Sequence, residues 1–217
     1  MGMLRQPSSA EVHSGVMSSP NQLDLAAYLS EKFPSLTLGA GLLYRWPVGI
    51  RFELGLETFR ERAPKLYEAV FAAGDVCVII SQDWPENVSL PARYFRVFSL
   101  PGAFDSNPVN LQSLEVTTEE EGEHETFTLQ WGQLPARNFH YSSVLEGIAN
   151  ADHAQTPSVS GRVYFLNPAT AIIVHIYNDR GLDIIAATRE SLMPIYRTFN
   201  DWILDFDRER IAKALSE

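Results

Sequence analysis

The chain reads as an α+β protein: a mainly antiparallel sheet ending in a three-stranded meander, with helices packed on the sheet. Three observations predict this. The last third holds the apolar runs RVYFLN, AIIVHIY and LDIIAA, joined by the turn sequences NPAT and NDRG, which is the pattern of successive antiparallel hairpins. Segments with helical spacing stand before and after strand runs, without the regular alternation of a βαβ protein. Strand periodicity is strict in IRFEL, where Ile50, Phe52 and Leu54 alternate with Arg51 and Glu53.

The elements follow in order. Residues 1–20, rich in Ser, Pro and Gly, read as a flexible N-terminal tail, and residues 21–217 as a single α+β domain. NQLDLAAYLSEKF offers a polar N-cap and places Leu25, Ala26, Leu29 and Phe33 at helical spacing, and Pro34 ends the helix. PKLYEAVFAAG has Pro64 in a first turn and Gly74 as a stop. DVCVIIS is a short, wholly apolar strand of the kind covered on both faces. Pro85, Pro91, Pro101, Pro108 and Pro135 break the middle into short pieces, with YFRVFSL and ETFTLQW as strand candidates and FHYSSVLEGIANA as a short helix. In SLMPIYRTFNDWILDF, the residues Leu192, Ile195, Phe199, Trp202, Ile203 and Phe206 fall on one helical stripe, with Pro194 in its first turn and Trp202 as its core anchor.

Composition narrows the function classes. Twenty-seven Asp and Glu against 17 Lys and Arg give a net charge of -10, and a phosphate backbone is repelled by such a surface, so no nucleic-acid partner is expected. The lone Cys77, inside VCVII, cannot form an internal disulfide and reads as a small buried thiol of a reducing compartment. No run approaches the length of a membrane span, no secretory signal is visible, and Gln6 breaks the myristoylation pattern, so a cytoplasmic, membrane-free protein is expected. The run of Glu119, Glu120, Glu121, Glu123 and Glu125 reads as a solvated loop or hairpin tip.

Charge inside the strand pattern marks the candidate site. In IYNDRGLDII, Asn178 suits the first position of a turn, Asp179 and Arg180 its αR positions, and Gly181 a left-handed closing position. Neither Arg180 nor Asp183 is required by the turn. Asp183 stands between Leu182 and Ile184, and an unpaired buried carboxylate is expensive, so it faces water or has a partner. Arg197, Asp201 and Asp205 follow at i, i+4 and i+8, which on a helix is a salt-bridged exposed face; the sharper reading joins Asp183, Asp201 and Asp205 into an oxygen-rich cation or catalytic site. Arg180 and Asp183 are expected to reach the helix of Trp202 through Asn200 or Asp201. No recognised metal spacing and no cofactor motif is present.

YNDRGLDIIA followed by LMPIYRTFNDWILDFDRERI resembles the C-terminal signature of a bacterial family catalogued as domain of unknown function 3885, and the likeness runs from Arg162 to Arg210. IRFELG looks like that family's N-terminal strand. Asn178 stands where the family carries an acidic residue, which argues against a metal-ligand role there. The resemblance implies no activity.

Nucleophile-elbow, HExxH, CxxC, P-loop and dinucleotide patterns are all missing, and His140, His153 and His175 are far apart. His175 alternates with Ile173 and Tyr177 on a strand, which favours a hydrogen-bonded structural histidine over a catalytic base. Two readings follow. One is an acidic interaction protein, by analogy of size and charge an immunity-type protein that binds a partner with a basic surface. The other is an enzyme with an acidic site near Asp183 and Asp201 and Arg180 holding an anion.

Overall fold

A computed structural model describes residues 22–55, 57–72, 74–84, 93–105, 109–120 and 123–216, so the expected N-terminal tail lies outside the described residues. Its centre is a seven-stranded sheet in which every neighbouring pair is antiparallel. The strands are β1 (Gly49–Glu53), β2 (Val76–Asp83), β4 (Leu111–Glu120), β5 (Glu123–Pro135), β7 (Arg162–Asn167), β8 (Ile172–Ile176) and β9 (Gly181–Ala186), in spatial order β1-β9-β8-β7-β2-β5-β4. The two-residue strands β3 (Tyr94–Phe95) and β6 (Ser158–Val159) pair separately, in parallel. The α+β class and the β7-β8-β9 meander are those the sequence predicts.

Side chains alternate across the pleat, so one strand serves two cores. Cys77 and Ile79 of β2 enter a core closed by α3 (Phe59–Val70), α4 (Tyr141–Ala151), α5 (Arg189–Thr198) and α6 (Arg208–Ser216), through residues such as Leu66, Leu145, Leu192 and Ile211. Val78 and Ile80 enter the opposite core, closed by α1 (Leu25–Lys32) and α2 (Leu42–Arg45) through Leu25, Phe33 and Leu42. This double cover explains the unbroken VCVII run. Burial also pushes the Cys77 thiol up to about 12, far from the reactive thiolate range. Among the described residues no helix is long and apolar enough to cross a membrane.

The polar N-cap expected for α1 is Asp24, whose carboxylate accepts the Ala27 N–H at 3.0 Å. Other expectations need correction. Pro64 and Pro194 are each the sixth residue of their helices, not first-turn residues. Each removes one backbone donor, and the carbonyls left over belong to the exposed residues Arg60 and Glu190. YFRVFSL yields only the two residues of β3 before a 3₁₀ turn at Val97–Ser99. Gly181 is not left-handed; a β-carbon there would collide with the Tyr177 hydroxyl, so close packing explains the glycine.

The last correction is the largest. The stripe read as one long helix ends at Thr198, and 3₁₀ turns at Asn200–Trp202 and Asp205–Asp207 precede α6. Ile203 pairs with Phe52, and the Leu204 N–H donates to Arg51 O at 3.0 Å. The segment thereby covers the outer edge of β1, whose backbone groups would otherwise lack partners. Trp202 is consequently half-buried on the rim of the core, tilted against Phe199 and faced by Arg62 and Lys65. Trp202→Ala is expected to lower stability by about 1–2 kcal/mol, less than the roughly 3–5 of a core tryptophan, as read from a chemical unfolding curve. A loss in the core range would place Trp202 deeper than this structure does.

Candidate functional site

Asp183 is the charged residue that the strand pattern singles out, and register supplies its partner. β1 and β9 run antiparallel with Arg51 directly opposite Asp183, and β8 places His175 on the other side. Arg51 donates from Nε to Asp183 Oδ1 at 2.7 Å and from Nη2 to Oδ2 at 2.8 Å, a bidentate pair. The Leu43 N–H, from the start of α2, adds a third bond to Oδ2 at 3.2 Å. Asp183 is 0% exposed and the Arg51 side chain 12%, so the carboxylate lies inside the protein and the guanidinium reaches it from a mostly covered position.

A second shell of polar groups surrounds the pair. Asp207 lies between Arg51 and Tyr44: its Oδ1 accepts from the Tyr44 hydroxyl at 2.9 Å, and its Oδ2 is 3.6 Å from Arg51 Nη1, near enough to pair in charge though too far for a hydrogen bond. Two guanidiniums lie over the Tyr44 ring, Arg51 at 4.6 Å and Arg210 at 4.9 Å from its centroid. Hydrogen bonding to Asp183 raises Arg51 above the ordinary arginine range. Burial, then the charge of Asp183, pushes the Tyr177 hydroxyl up to about 12. His175 is enclosed with Tyr164 at 4.5 Å and Tyr177 at 5.7 Å between ring centroids. Neither of its ring nitrogens has a protein hydrogen-bond partner, contrary to the hydrogen-bonded histidine expected from sequence. Burial, reinforced by the charges of Arg162 and Arg51, pulls its pKa down to about 3, so His175 is neutral.

The remaining sequence candidates are scattered around this network. Asp179 is buried and its Oδ2 accepts from His153 Nε2 at 2.6 Å, which ties the β8-β9 turn to the segment after α4. Arg180 is largely exposed, with its nearest carboxylate, Asp152, at 4.0 Å. The expected bridge from Arg180 to Asn200 or Asp201 therefore does not form: the turn docks on the end of α4, and Asn200 Oδ1 instead accepts from Arg208 at 3.1 Å. Asp205 is exposed and pairs with Arg208 at 3.0 Å, while Asp201 is exposed. The ladder of Arg197, Asp201 and Asp205 is lost because α5 stops before it. Among the described residues no group of three or more His, Cys, Asp or Glu side chains is arranged to hold a metal, and Asp183, enclosed by Arg51, is not brought together with the exposed Asp201 and Asp205.

Sequence reasoning missed Arg51, Tyr44, Asp207 and Arg210. The signal present was symmetrical: Arg51 between Ile50 and Phe52 and Asp183 between Leu182 and Ile184 are opposite charges in equivalent strand settings. Chemically the arrangement is a closed electrostatic brace, with each Asp183 oxygen already satisfied and no room for a substrate between the partners.

A family model described as a domain of unknown function (DUF3885) matches residues 25–207. The chain is also similar to the uncharacterized protein YnaE of Bacillus subtilis (strain 168), at 24% identity over 213 residues, covering 85% of this chain and 99% of the relative. No solved structure matches.

Proposed function

Because the chain belongs to the DUF3885 family, whose description assigns no activity, we propose its function from its own surface: it is an interaction protein that receives a basic protein partner on the β4-β5 hairpin. The observation that carries this reading is the position of the acidic run. Glu119 and Glu120 end β4, Glu123 and Glu125 open β5, and the hairpin they close is the outermost pair of the sheet. Among the described residues the outer edge of β4 pairs with no strand, and exposed Glu115 continues the acidic run along it. Glu121 lies outside the described residues. A strand edge without a strand partner, in an acidic hairpin, offers both backbone pairing and charge attraction to a cationic surface, and the charge discourages self-association of the edge. An immunity-type protein covering a basic effector would use such a surface. The enzyme reading finds less support, since Asp183 is enclosed by three donors and Arg180 stands on an exposed turn away from it.

The test is a pull-down from the source cell with the wild-type chain and a variant in which Glu119, Glu120, Glu121, Glu123 and Glu125 are glutamines. A basic partner retained by the wild type, released as salt shortens screening below about 8 Å and lost by the variant, is the expected result. The same partners at the same yield and salt dependence would remove the hairpin from recognition.

A further inference from the structure

At the other edge of the sheet the charge reverses. A groove of about 730 Å³ lies where the turn before β1 meets α5 and α6, lined by Val48, Arg189, Phe206, Glu209, Arg210 and Lys213 among others. Three cations against one carboxylate make this a positive patch on a chain of net charge -10. None of Arg189, Arg210 and Lys213 forms an ion pair with a described acidic residue. The Arg189 guanidinium carries an unmet donor, its Nε, which is shut off from solvent without a hydrogen-bond acceptor in the protein. Beside these cations Phe206 is 86% exposed, the most exposed large apolar side chain among the described residues.

We propose that this groove binds an acidic peptide segment of a partner protein, with a large apolar side chain against Phe206 and Val48 and flanking carboxylates on Arg189, Arg210 and Lys213. Both halves of that chemistry line the groove: cations to hold carboxylates, of which Arg210 also donates from Nη2 to Leu43 O at 3.2 Å, and an aromatic with no apolar cover of its own. Arg210 and Lys213 are three residues apart on α6 and so share a face. From Phe206 to Lys213 the chain climbs roughly 10 Å at 1.5 Å per residue, the reach of about three extended peptide residues at 3.3 Å each. A nucleic acid fits less well, since its repeated phosphates would extend past the patch onto the acidic surface. Because Arg210 also stacks on Tyr44, an occupied groove abuts the Arg51 network. The site is independent of the acidic hairpin, which lies at the opposite edge of the sheet.

The test titrates the full chain, followed by amide NMR shifts and by anisotropy, with the synthetic peptide Glu-Glu-Phe-Leu-Glu-Glu blocked at both ends. Controls replace its glutamates by glutamine or its Phe-Leu by Ser-Ser. The expected result is shifts at residues 47–48, 189 and 206–214, with affinity about tenfold above either control. An R189Q/K213Q double variant and, separately, F206S should each weaken binding by about tenfold while leaving the unfolding midpoint unchanged, because Arg189 Nε has no hydrogen bond to lose and Lys213 and Phe206 are exposed. Equal binding of all three peptides, shifts outside the groove, no shifts at millimolar peptide, or displacement by inorganic phosphate with no gain from Phe-Leu would each overturn the proposal.

Discussion

Asp183→Ala is expected to lower folding stability by about 3–5 kcal/mol, the loss found when one partner of a buried ion pair is removed. The change strands the Arg51 guanidinium, which keeps only the distant Asp207 as counter-charge, and leaves the Leu43 N–H without its acceptor. Arg51→Ala should be at least as damaging, because it strands Asp183 and Asp207 together. The informative comparison is the double variant Arg51→Met with Asp183→Leu. Apolar side chains of similar size need no counter-charge, so the loss in the double variant should fall short of the summed losses of Arg51→Met and Asp183→Leu by about 1–3 kcal/mol of coupling. Urea unfolding of the wild type, Arg51→Met, Asp183→Leu and the double variant measures this cycle. Strictly additive losses would mean that the charges do not interact across β1 and β9.

The same pair shows where sequence stops being informative. Local patterns carried the meander: RVYFLN coincides with Arg162–Asn167, and the two following runs match β8 and β9 to within two residues at each end, because alternation and turn chemistry are local properties. FHYSSVLEGIANA became α4 for the same reason, and the acidic run became the end of the β4-β5 hairpin. Arg51 and Asp183 are 132 residues apart, and each strand pattern says only that a charge sits on one face. Their meeting depends on β1 pairing beside β9 in this register, a property of topology that no local window contains. The break in the long C-terminal stripe is of the same kind. Its apolar spacing suits a helix, but Ile203 and Leu204 are taken by the edge of β1, and the carboxylate ladder expected on that helix disappears with it. Asp207 gains instead a position beside Arg51, which spacing along one helix could not have suggested.

His175→Phe is expected to flatten the acid dependence of stability. In the folded chain the imidazole titrates near 3, because burial and the facing charges of Arg162 and Arg51 disfavour its proton, and the carboxylate of Asp183 directly across on β9 is already taken by Arg51. In the unfolded chain it titrates near 6.5. Between these values the unfolded state binds a proton that the native state refuses, so stability rises with pH across the window and is lost as pH falls from about 6.5 towards 3. The full slope is about 1.4 kcal/mol per pH unit for one such group. Phenylalanine keeps an aromatic ring between Tyr164 and Tyr177 and removes two nitrogens that have no protein partner. At pH 7 the variant should therefore match or exceed the wild type, and its advantage should grow steadily as pH falls to about 4.5, where the expected difference from this group is about 2–3 kcal/mol. Unfolding midpoints in urea at pH 7.5, 6.5, 5.5 and 4.5 for both proteins measure it directly. Curves that stay parallel over that range would mean that His175 takes up its proton in the folded state as readily as in the unfolded one, and the enclosure of its ring by Tyr164 and Tyr177 would have to be looser than this fold makes it.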